Sequence, residues 1–322
     1  MYEGRTAQRA HLQEPALVER YRSLVFDSAR WDSFEFRPDD IVISTPPKCG
    51  TTWTQMLCAL LLFDTTEFDR PLARISPWLD MQTRSLASVT ADLEAQTHRR
   101  FIKTHTPLDG LPQEKTVTYL CVGRDPRDVA MSWAHHWTNM DLDAFLTLRA
   151  DAVGLEDLAD LGPPPPPPSS DPREWFWEWA LDDTSPSPTL ARILHHLDTF
   201  WQRRHEPNVA MFHYHDLTID LPGQLVRLAD TLGMALPESR IDELAAAATF
   251  EQMKSRANSI APNADQGLWH NTEEFFHRGT TGQWQNLLDE EDLQRYQQRV
   301  SQLVAPDLAA WSHHGWLTAP SE

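Results

Sequence analysis

Short apolar runs alternate with longer helical patterns along this chain. Runs with strand character lie at 41–43, 100–104, 117–122 and 209–212. Helical patterns lie at 53–63, 126–137, 221–232, 241–248 and 290–304. Strands that alternate with helices predict an α/β fold, here a single domain over residues 1–322 with a central parallel sheet flanked by helices.

The middle of the chain interrupts this alternation. Six consecutive prolines at 163–168 predict a polyproline II segment, and composition favours a surface insertion or lid near 150–185 over a site for an SH3-like partner. The tryptophans of Trp175–Trp179 alternate, so they cannot share one helix face, and at least one is expected to face a pocket, a partner or solvent. Residues 271–286 predict a loop that crosses back over the strand-end loops.

Composition narrows the class of protein. The chain has 28 Lys and Arg against 47 Asp and Glu, a net charge of −19. Such a surface argues against a nucleic-acid partner, and any anion site must be a local basic pocket. Cys49, Cys58 and Cys121 are too few for a disulfide framework, so free thiols in a reducing cytoplasm are expected.

The apolar runs are short. The longest, 56–63, falls well below the roughly 20 residues of a membrane-spanning helix, and the N-terminus lacks the apolar region of a signal peptide. We therefore expect a cytoplasmic protein without a membrane span. A lipid substrate would be reached at the membrane surface or handed over.

A strand, a tight loop and a helix surround Pro47-Lys48-Cys49-Gly50-Thr51-Thr52. Backbone N–H groups, a cation and hydroxyl donors in that setting predict an anion site. The lysine precedes the glycine by two residues, which is not the Walker A order. The alternative is an ordinary helix start capped by Thr51 or Thr52.

Two further strand ends carry candidate chemistry. His105 follows Lys103 at the end of the second strand, where a histidine can act as a general base or simply be structural. Arg124 follows the third strand, with Ser132 eight residues later, and arginine binds phosphate through two nitrogens. The alternative is a turn in which neighbouring Arg and Asp residues pair. Arg278 in the late loop could contact the same anion.

Together these motifs resemble the cytosolic-type sulfotransferases, which use 3′-phosphoadenosine 5′-phosphosulfate (PAPS). The matching segments run in family order from about residue 35 to 287 and are 45–53, 74–80, 103–105, 124–132, 214–217, 249–253 and 277–284. Within the family the chain looks most similar to bacterial members described as glycolipid sulfotransferases. The resemblance implies the P-loop NTPase-like sulfotransferase fold, with a P-loop-like loop that binds the phosphosulfate.

The resemblance also implies the reaction, an in-line transfer of a sulfuryl group from PAPS to an acceptor hydroxyl. The product is 3′-phosphoadenosine 5′-phosphate (PAP), and no metal is expected. His105 is expected to be the base, Lys48 to neutralise the leaving oxygen and Lys103 to stabilise the sulfuryl oxygens. The residues expected to bind PAPS are Lys48, Cys49, Gly50, Thr51, Thr52, Trp53, Arg124, Ser132, Tyr214, Thr249, Phe250, Met253, His277, Arg278 and Gly279.

Some positions depart from the family pattern. Cys49 stands in place of serine, Ala248 in place of threonine and His277 in place of arginine, so part of the PAPS contacts is in question. The short dimerisation motif of animal members is not visible at 286–289, and the oligomeric state stays open.

The acceptor is expected to be a small molecule or glycolipid with an apolar body and a hydroxyl. Trp78, Trp133 and Trp137 are candidates for its apolar wall, with core packing as the alternative. Competing interpretations of the whole chain are a Mg²⁺-dependent phosphotransferase, a non-catalytic PAP-binding module, a scaffold built on the proline run and a dehydratase that works through a transient sulfate ester. The lysine position argues against the first, and the presence of both Lys48 and His105 argues against the second.

Overall fold

A four-stranded parallel sheet organises the computed structural model, which describes residues 18–161 and 167–318. The strands are β1 (Ile41–Ser44), β2 (Phe101–Thr104), β3 (Thr118–Gly123) and β4 (Val209–His213). Their order is β2-β1-β3-β4, so the first strand lies between the second and the third. The predicted α/β fold is confirmed, and each strand lies within one residue of its predicted bounds.

Helices connect and cover the strands. The α-helices in the described part of the chain are α1 (Thr51–Phe63), α2 (Leu72–Ile75), α3 (Leu86–Glu94), α4 (Pro126–Asn139), α5 (Leu142–Val153), α6 (Leu158–Leu161), α7 (Pro172–Leu181), α8 (Leu190–Trp201), α9 (Tyr214–Ile219), α10 (Leu221–Thr231), α11 (Glu238–Ala247), α12 (Phe250–Ser255), α13 (Ala257–Ile260), α14 (Glu290–Leu303) and α15 (Pro306–His314). Short 3₁₀ helices lie at Ser28–Trp31, Leu108–Gly110, Ala264–Gln266, Glu273–Phe275 and Gln283–Asn286. Each helix predicted from the sequence is present, with ends that shift by up to three residues.

The central strand is buried on both faces of the sheet. Ile41 and Ile43 belong to the apolar cluster that includes side chains of α1, α10 and α11. Val42 points to the opposite face, into the cluster formed with α4, α8 and α14. All three side chains are fully buried, which explains why β1 reads as a continuous apolar run rather than an alternating one.

The three tryptophans of helix α7 are buried, contrary to one expectation from the sequence. Trp175, Trp177 and Trp179 are all at least nine-tenths buried, so the expectation that one of them faces a pocket, a partner or solvent is wrong. The helix is covered by α4, α8 and α14 on more than one side. The indole N–H of Trp177 donates to Asp292 at 2.9 Å, and that of Trp179 donates to the carbonyl oxygen of Pro188 at 2.5 Å.

Other expectations meet the structure only in part. The three cysteines are buried with free thiols. Most of the proline run falls in residues 162–166, which lie outside the described residues. Across 18–161 and 167–318, no helix combines the length and the apolar character that a membrane crossing needs.

A buried ion pair anchors the start of the sheet. Nε of Arg100 donates to Oδ1 of Asp40 at 2.9 Å, and both side chains are at most 2% exposed. Arg100→Met would leave the Asp40 carboxylate buried without its counter-charge, so we expect the free energy of unfolding to fall by about 3 kcal/mol. Urea unfolding measures this loss. Arg70→Met, which removes an arginine from the exposed pair with Asp69, is the control and should change stability by less than about 0.5 kcal/mol. Equal effects of the two variants would contradict the assignment.

Candidate active site

A cavity of about 240 Å³ opens at the carboxyl edge of the sheet. The loops after β1, β2 and β3 form its floor, and side chains from α4, α12 and the segment 268–283 form its walls. Of the residues predicted to bind or react, those that line the cavity are Lys48, Gly50, Thr51, Thr52, Trp53, Lys103, His105, Arg124, Ser132, Tyr214, Phe250, Met253, His277, Arg278 and Gly279.

The loop after β1 turns sharply before α1 begins. Lys48 and Gly50 both have left-handed backbone conformations, with φ of 68° and 101°. A Cβ atom on Gly50 would approach the Tyr214 ring to 3.0 Å, so glycine is favoured there by conformation and by space. Gly50 is also the N-cap residue of α1, so the helix is not capped by Thr51 or Thr52 as the alternative proposed. The first-turn N–H groups of α1 therefore face the cavity loop without a capping side chain and can bind an anion.

Lys48 reaches across the cavity to α4. Its Nζ lies 3.2 Å from Nδ1 of His136 and 4.9 Å from the centre of the Phe275 ring. Burial, with the nearby charges of Arg124 and Lys103, lowers the pKa of Lys48 to about 7. Burial also lowers the pKa of His136 well below its ordinary value, so the neutral ring accepts the hydrogen bond from Lys48.

The loop after β2 fixes a histidine in one tautomer. Nδ1 of His105 lies 2.7 Å from the carbonyl oxygen of Thr45. A carbonyl oxygen only accepts, so Nδ1 carries the proton and the lone pair is on Nε2. Burial and the charge of Lys103 lower the pKa of His105 well below its usual value of 6.5, which keeps the ring neutral. This arrangement can take a proton at Nε2.

Lys103 lies beside this histidine on the same strand end. Its Nζ sits 4.1 Å from the centre of the Trp78 ring, and the edge-to-face contact of Trp78 with His105 has a ring separation of 4.6 Å. Burial lowers the pKa of Lys103 to about 7, while the buried Asp80 carboxylate opposes that shift. Trp78 therefore positions both polar side chains.

The loop after β3 contains one arginine for the cavity and one for the scaffold. Arg127 forms an ion pair with Asp125 at 2.7 Å. The alternative of a turn with paired Arg and Asp residues therefore holds for Arg127. Arg124 instead donates to the carbonyl oxygens of Lys48 and Thr280, both at 3.1 Å, and lies 4.4 Å from the centre of the Tyr214 ring. Within residues 18–161 and 167–318, its buried Nε has no hydrogen-bond partner. An anionic oxygen would satisfy this donor.

The predicted loop 271–286 does cross this face. Asp128 of α4 accepts hydrogen bonds from the backbone N–H groups of Gly282 and Gln283, both at 2.8 Å. A Cβ atom on Gly279 would lie 2.3 Å from the Phe250 ring, so this glycine allows the loop to pack closely on α12.

Two predicted residues do not reach the cavity with their side chains. Cys49 is fully buried in the apolar cluster on one face of the sheet, because the turn at Lys48 and Gly50 directs it inward. The Thr249 hydroxyl accepts a hydrogen bond from the N–H of Gln252 and caps α12. The side chains of these two residues are therefore structural.

Sequence reasoning missed several cavity residues. His136 lies on α4 one turn after Ser132, and that helical spacing could have identified it. The apolar end contains the predicted Trp78, Trp133 and Trp137, together with residues that no motif indicated: Leu24, Val25, Phe26, Met81, Met140, Phe145, Leu268, Trp269 and Phe275. Their separation along the chain left no local signal.

A basic loop at a helix start, a neutral histidine with its lone pair on Nε2 and an adjoining cavity define a site suited to the transfer of an anionic group. The comparisons identify the group. The family model described as "Sulfotransferase domain" matches residues 38–306. The chain therefore belongs to the sulfotransferase family, and it is a PAPS-dependent sulfotransferase.

The similarity to described sulfotransferases and to a related solved structure covers most of the chain. A glycolipid sulfotransferase of Mycobacterium bovis is 47% identical over 309 residues, covering 92% of this chain and 94% of the relative. Sulfotransferase 1A1 of Rattus norvegicus is 25% identical, covering 79% and 80%. The structure of retinol dehydratase in a complex with retinol and PAP superposes with a TM-score of 0.66 at 25% identity, covering 87% of this chain and 85% of that one.

The lowered pKa values of the two cavity lysines can be measured directly. The chain has four lysines, at positions 48, 103, 115 and 254, so their ¹³Cε and ¹⁵Nζ signals are easily separated after lysine labelling. An amine loses its charge as pH rises through its pKa, so we expect the Lys48 and Lys103 signals to titrate with midpoints near pH 7. Lys48→Met and Lys103→Met assign the signals, and the exposed Lys115 supplies the reference. Cavity lysines that stay fully protonated throughout the neutral range would contradict the electrostatics described above.

Proposed function

We propose that this enzyme moves the sulfuryl group of PAPS to a hydroxyl on an acceptor with an apolar body, a phenol, an alcohol or a glycolipid, with His105 as the general base. The observation that carries the proposal is the hydrogen bond from His105 Nδ1 to the Thr45 carbonyl oxygen, 2.7 Å long, in a cavity wall shared with Lys48 and Lys103. This part of the cavity therefore brings together a base, two amines that can be charged and an apolar chamber.

His105 acts on the acceptor. Nε2 of the neutral ring takes the proton of the acceptor hydroxyl as its oxygen bonds to sulfur, and Nδ1–H remains bound to the Thr45 carbonyl oxygen. The imidazolium that forms is stabilised by this fixed hydrogen bond. Because burial lowers the pKa of His105, its ring is unprotonated at neutral pH and the Nε2 lone pair is available.

Lys48 and Lys103 act on the charge that moves during transfer. Lys48 turns from His136 to the bridging oxygen and neutralises the charge that develops there as the S–O bond breaks. Lys103, held over Trp78, stabilises the sulfuryl oxygens. An anion between the two amines raises their pKa values again, so both are charged when PAPS is bound.

The remaining predicted residues fit the nucleotide of PAPS. Thr51, Thr52 and the first-turn N–H groups of α1 hold the 5′-phosphate. Arg124, whose buried Nε lacks a partner among the described residues, binds the 3′-phosphate with Ser132 and Arg278. The other predicted residues surround the adenine and the loop beside it: Trp53, Tyr214, Phe250, Met253, His277 and Gly279.

The acceptor side of the cavity supports an apolar substrate. Its wall is composed mainly of aromatic and aliphatic side chains, with Trp133 and Trp137 on one face of α4 and Trp269 in contact with His136 of the same helix. The similar mycobacterial relative is described as a glycolipid sulfotransferase, which agrees with an acceptor that has a long apolar part. Apolar lining of this kind favours an acceptor with an uncharged apolar body.

Two substitutions should separate transfer from binding. His105→Ala is expected to lower kcat by at least about 100-fold while the Kd of PAP changes by less than about threefold, because the base does not contact the nucleotide. Arg124→Met is expected to weaken PAP binding and to remove the preference for PAP over adenosine 5′-phosphosulfate, which lacks the 3′-phosphate. Calorimetric titrations without added metal and turnover assays measure the two effects.

The exposed His205 supplies the matched control. His205→Ala should leave both kcat and the Kd of PAP unchanged. Parallel losses of turnover and PAP binding in His105→Ala would contradict its assignment as the base. PAP binding that occurs only with Mg²⁺ would favour the phosphotransferase interpretation instead.

A series of 4-alkylphenols tests the acceptor class. We expect kcat/KM to rise by about fourfold for each added methylene until the cavity is filled, since each buried CH₂ is worth about 0.8 kcal/mol. Trp137→Ala should flatten this dependence, whereas Trp316→Ala, at an exposed tryptophan outside the cavity, should preserve it.

The product of transfer must retain the sulfate ester. Elimination to an alkene from an alcohol acceptor, or no dependence on chain length, would contradict the proposal.

A further inference from the structure

We propose that His135, Glu274 and His277 form a binding site for one divalent transition-metal ion of the Zn²⁺ type at the rim of the cavity. His135 lies on α4, and the other two residues lie in the loop that crosses the cavity. Metal binding by these side chains does not depend on the sulfuryl-transfer mechanism. The site is separate from the reacting groups His105, Lys48 and Lys103.

The spacing of the donor atoms matches a coordination shell. Oε2 of Glu274 lies 3.4 Å from Nε2 of His135 and 3.4 Å from Nδ1 of His277, and the three donors lie within 4.8 Å of one another. Ligands about 2.1 Å from a tetrahedral ion are separated by about 3.4 Å. The same distance is longer than the usual 2.7–3.2 Å of a hydrogen bond. The Glu274 carboxylate oxygen therefore lies between the two imidazoles and makes only a long hydrogen bond, to Nδ1 of His277.

The two imidazoles can adjust to an ion between them. Their rings stack with centres 3.8 Å apart and planes inclined by 25°. Coordination in the ring plane requires each ring to turn from this stack. It also requires Nε2 of His135 to leave its 2.9 Å contact with the Glu274 carbonyl oxygen. The side chains are 26% and 30% exposed, so they have room to turn and the ion has a path to them.

The donor set selects the kind of metal. Two imidazole nitrogens and one carboxylate oxygen suit Zn²⁺, Co²⁺, Ni²⁺ and Cu²⁺, whereas Mg²⁺ and Ca²⁺ prefer oxygen ligands alone. Three protein ligands leave a fourth position for water or an anion. A site of this composition is thus distinct from a Mg²⁺ site for phosphoryl transfer.

A bound ion would join α4 to the loop over the cavity. The loop is already tied to α4 through Asp128 and to Arg124 through the Thr280 carbonyl oxygen. Coordination by His277 adds a third tie next to Arg278, and both of these side chains line the cavity. The ion would hold this segment in place and add positive charge beside Arg278.

Cobalt titration of the untagged, metal-stripped full-length protein tests the site. We expect one equivalent of Co²⁺ to bind with the intense visible absorption of a four-coordinate ion. Zn²⁺ should displace it, and excess Mg²⁺ should not. Pale six-coordinate spectra, or several weak equivalents without a stoichiometric one, would overturn the proposal.

Single substitutions locate the ion. His135→Asn, Glu274→Gln and His277→Asn should each weaken Co²⁺ binding by at least about tenfold and remove the four-coordinate spectrum. His205→Asn, at an exposed histidine outside the cluster, should retain both. Circular dichroism and urea unfolding without metal check that each variant is folded. Unchanged Co²⁺ binding in folded cluster variants would place the ion elsewhere and overturn the assignment.

Discussion

The parallel pairing of β1 with both β2 and β3 is the constraint on which the site depends. It brings three strand-end loops to one edge, so that the Thr45 carbonyl reaches His105 and the Lys48 carbonyl reaches Arg124. The register matters as much as the order. Ile43 pairs with Lys103 across the sheet, and a slip of one residue would turn the Lys103 side chain to the opposite face. The chemistry is thus held by backbone pairing before any side chain contributes.

The cost of this arrangement is electrostatic. Lys48, Lys103 and Arg124 all line the cavity and lie close enough for their charges to interact. Burial lowers the pKa values of both lysines, and the charges of Arg124 and Lys103 lower that of Lys48 further, so the free site has less charge at neutral pH than its sequence implies. A bound anion would favour the charged amines, raise the pKa values of both lysines and be accompanied by proton uptake. A protein with a net charge of −19 can therefore contain a local site that becomes strongly positive when an anion binds.

Local signals made much of this predictable. The strands are short apolar runs, and the loops that follow them contain the Lys48, His105 and Arg124 motifs within a few residues, so pattern and motif identified both. Contacts between distant segments left no such signal. Cys49 points into the core because of the turn around it, and the tryptophans of α7 are buried because three other helices cover them. His135 and Glu274 are 139 residues apart, and only the fold shows that they meet.

Helix α4 connects the two halves of the cavity. Ser132 and His136 lie one turn apart, beside the proposed nucleotide contacts and Lys48, while Trp133 and Trp137 lie one turn apart on the adjoining face and line the apolar end. Because both pairs belong to one helix, the distance between the proposed acceptor wall and His136, the partner of Lys48, is set by helix geometry rather than by a loop. The strand-end loops can then keep the transfer chemistry constant. The rest of the wall comes from separate segments of the chain, which can change to suit a different acceptor without moving those strand ends.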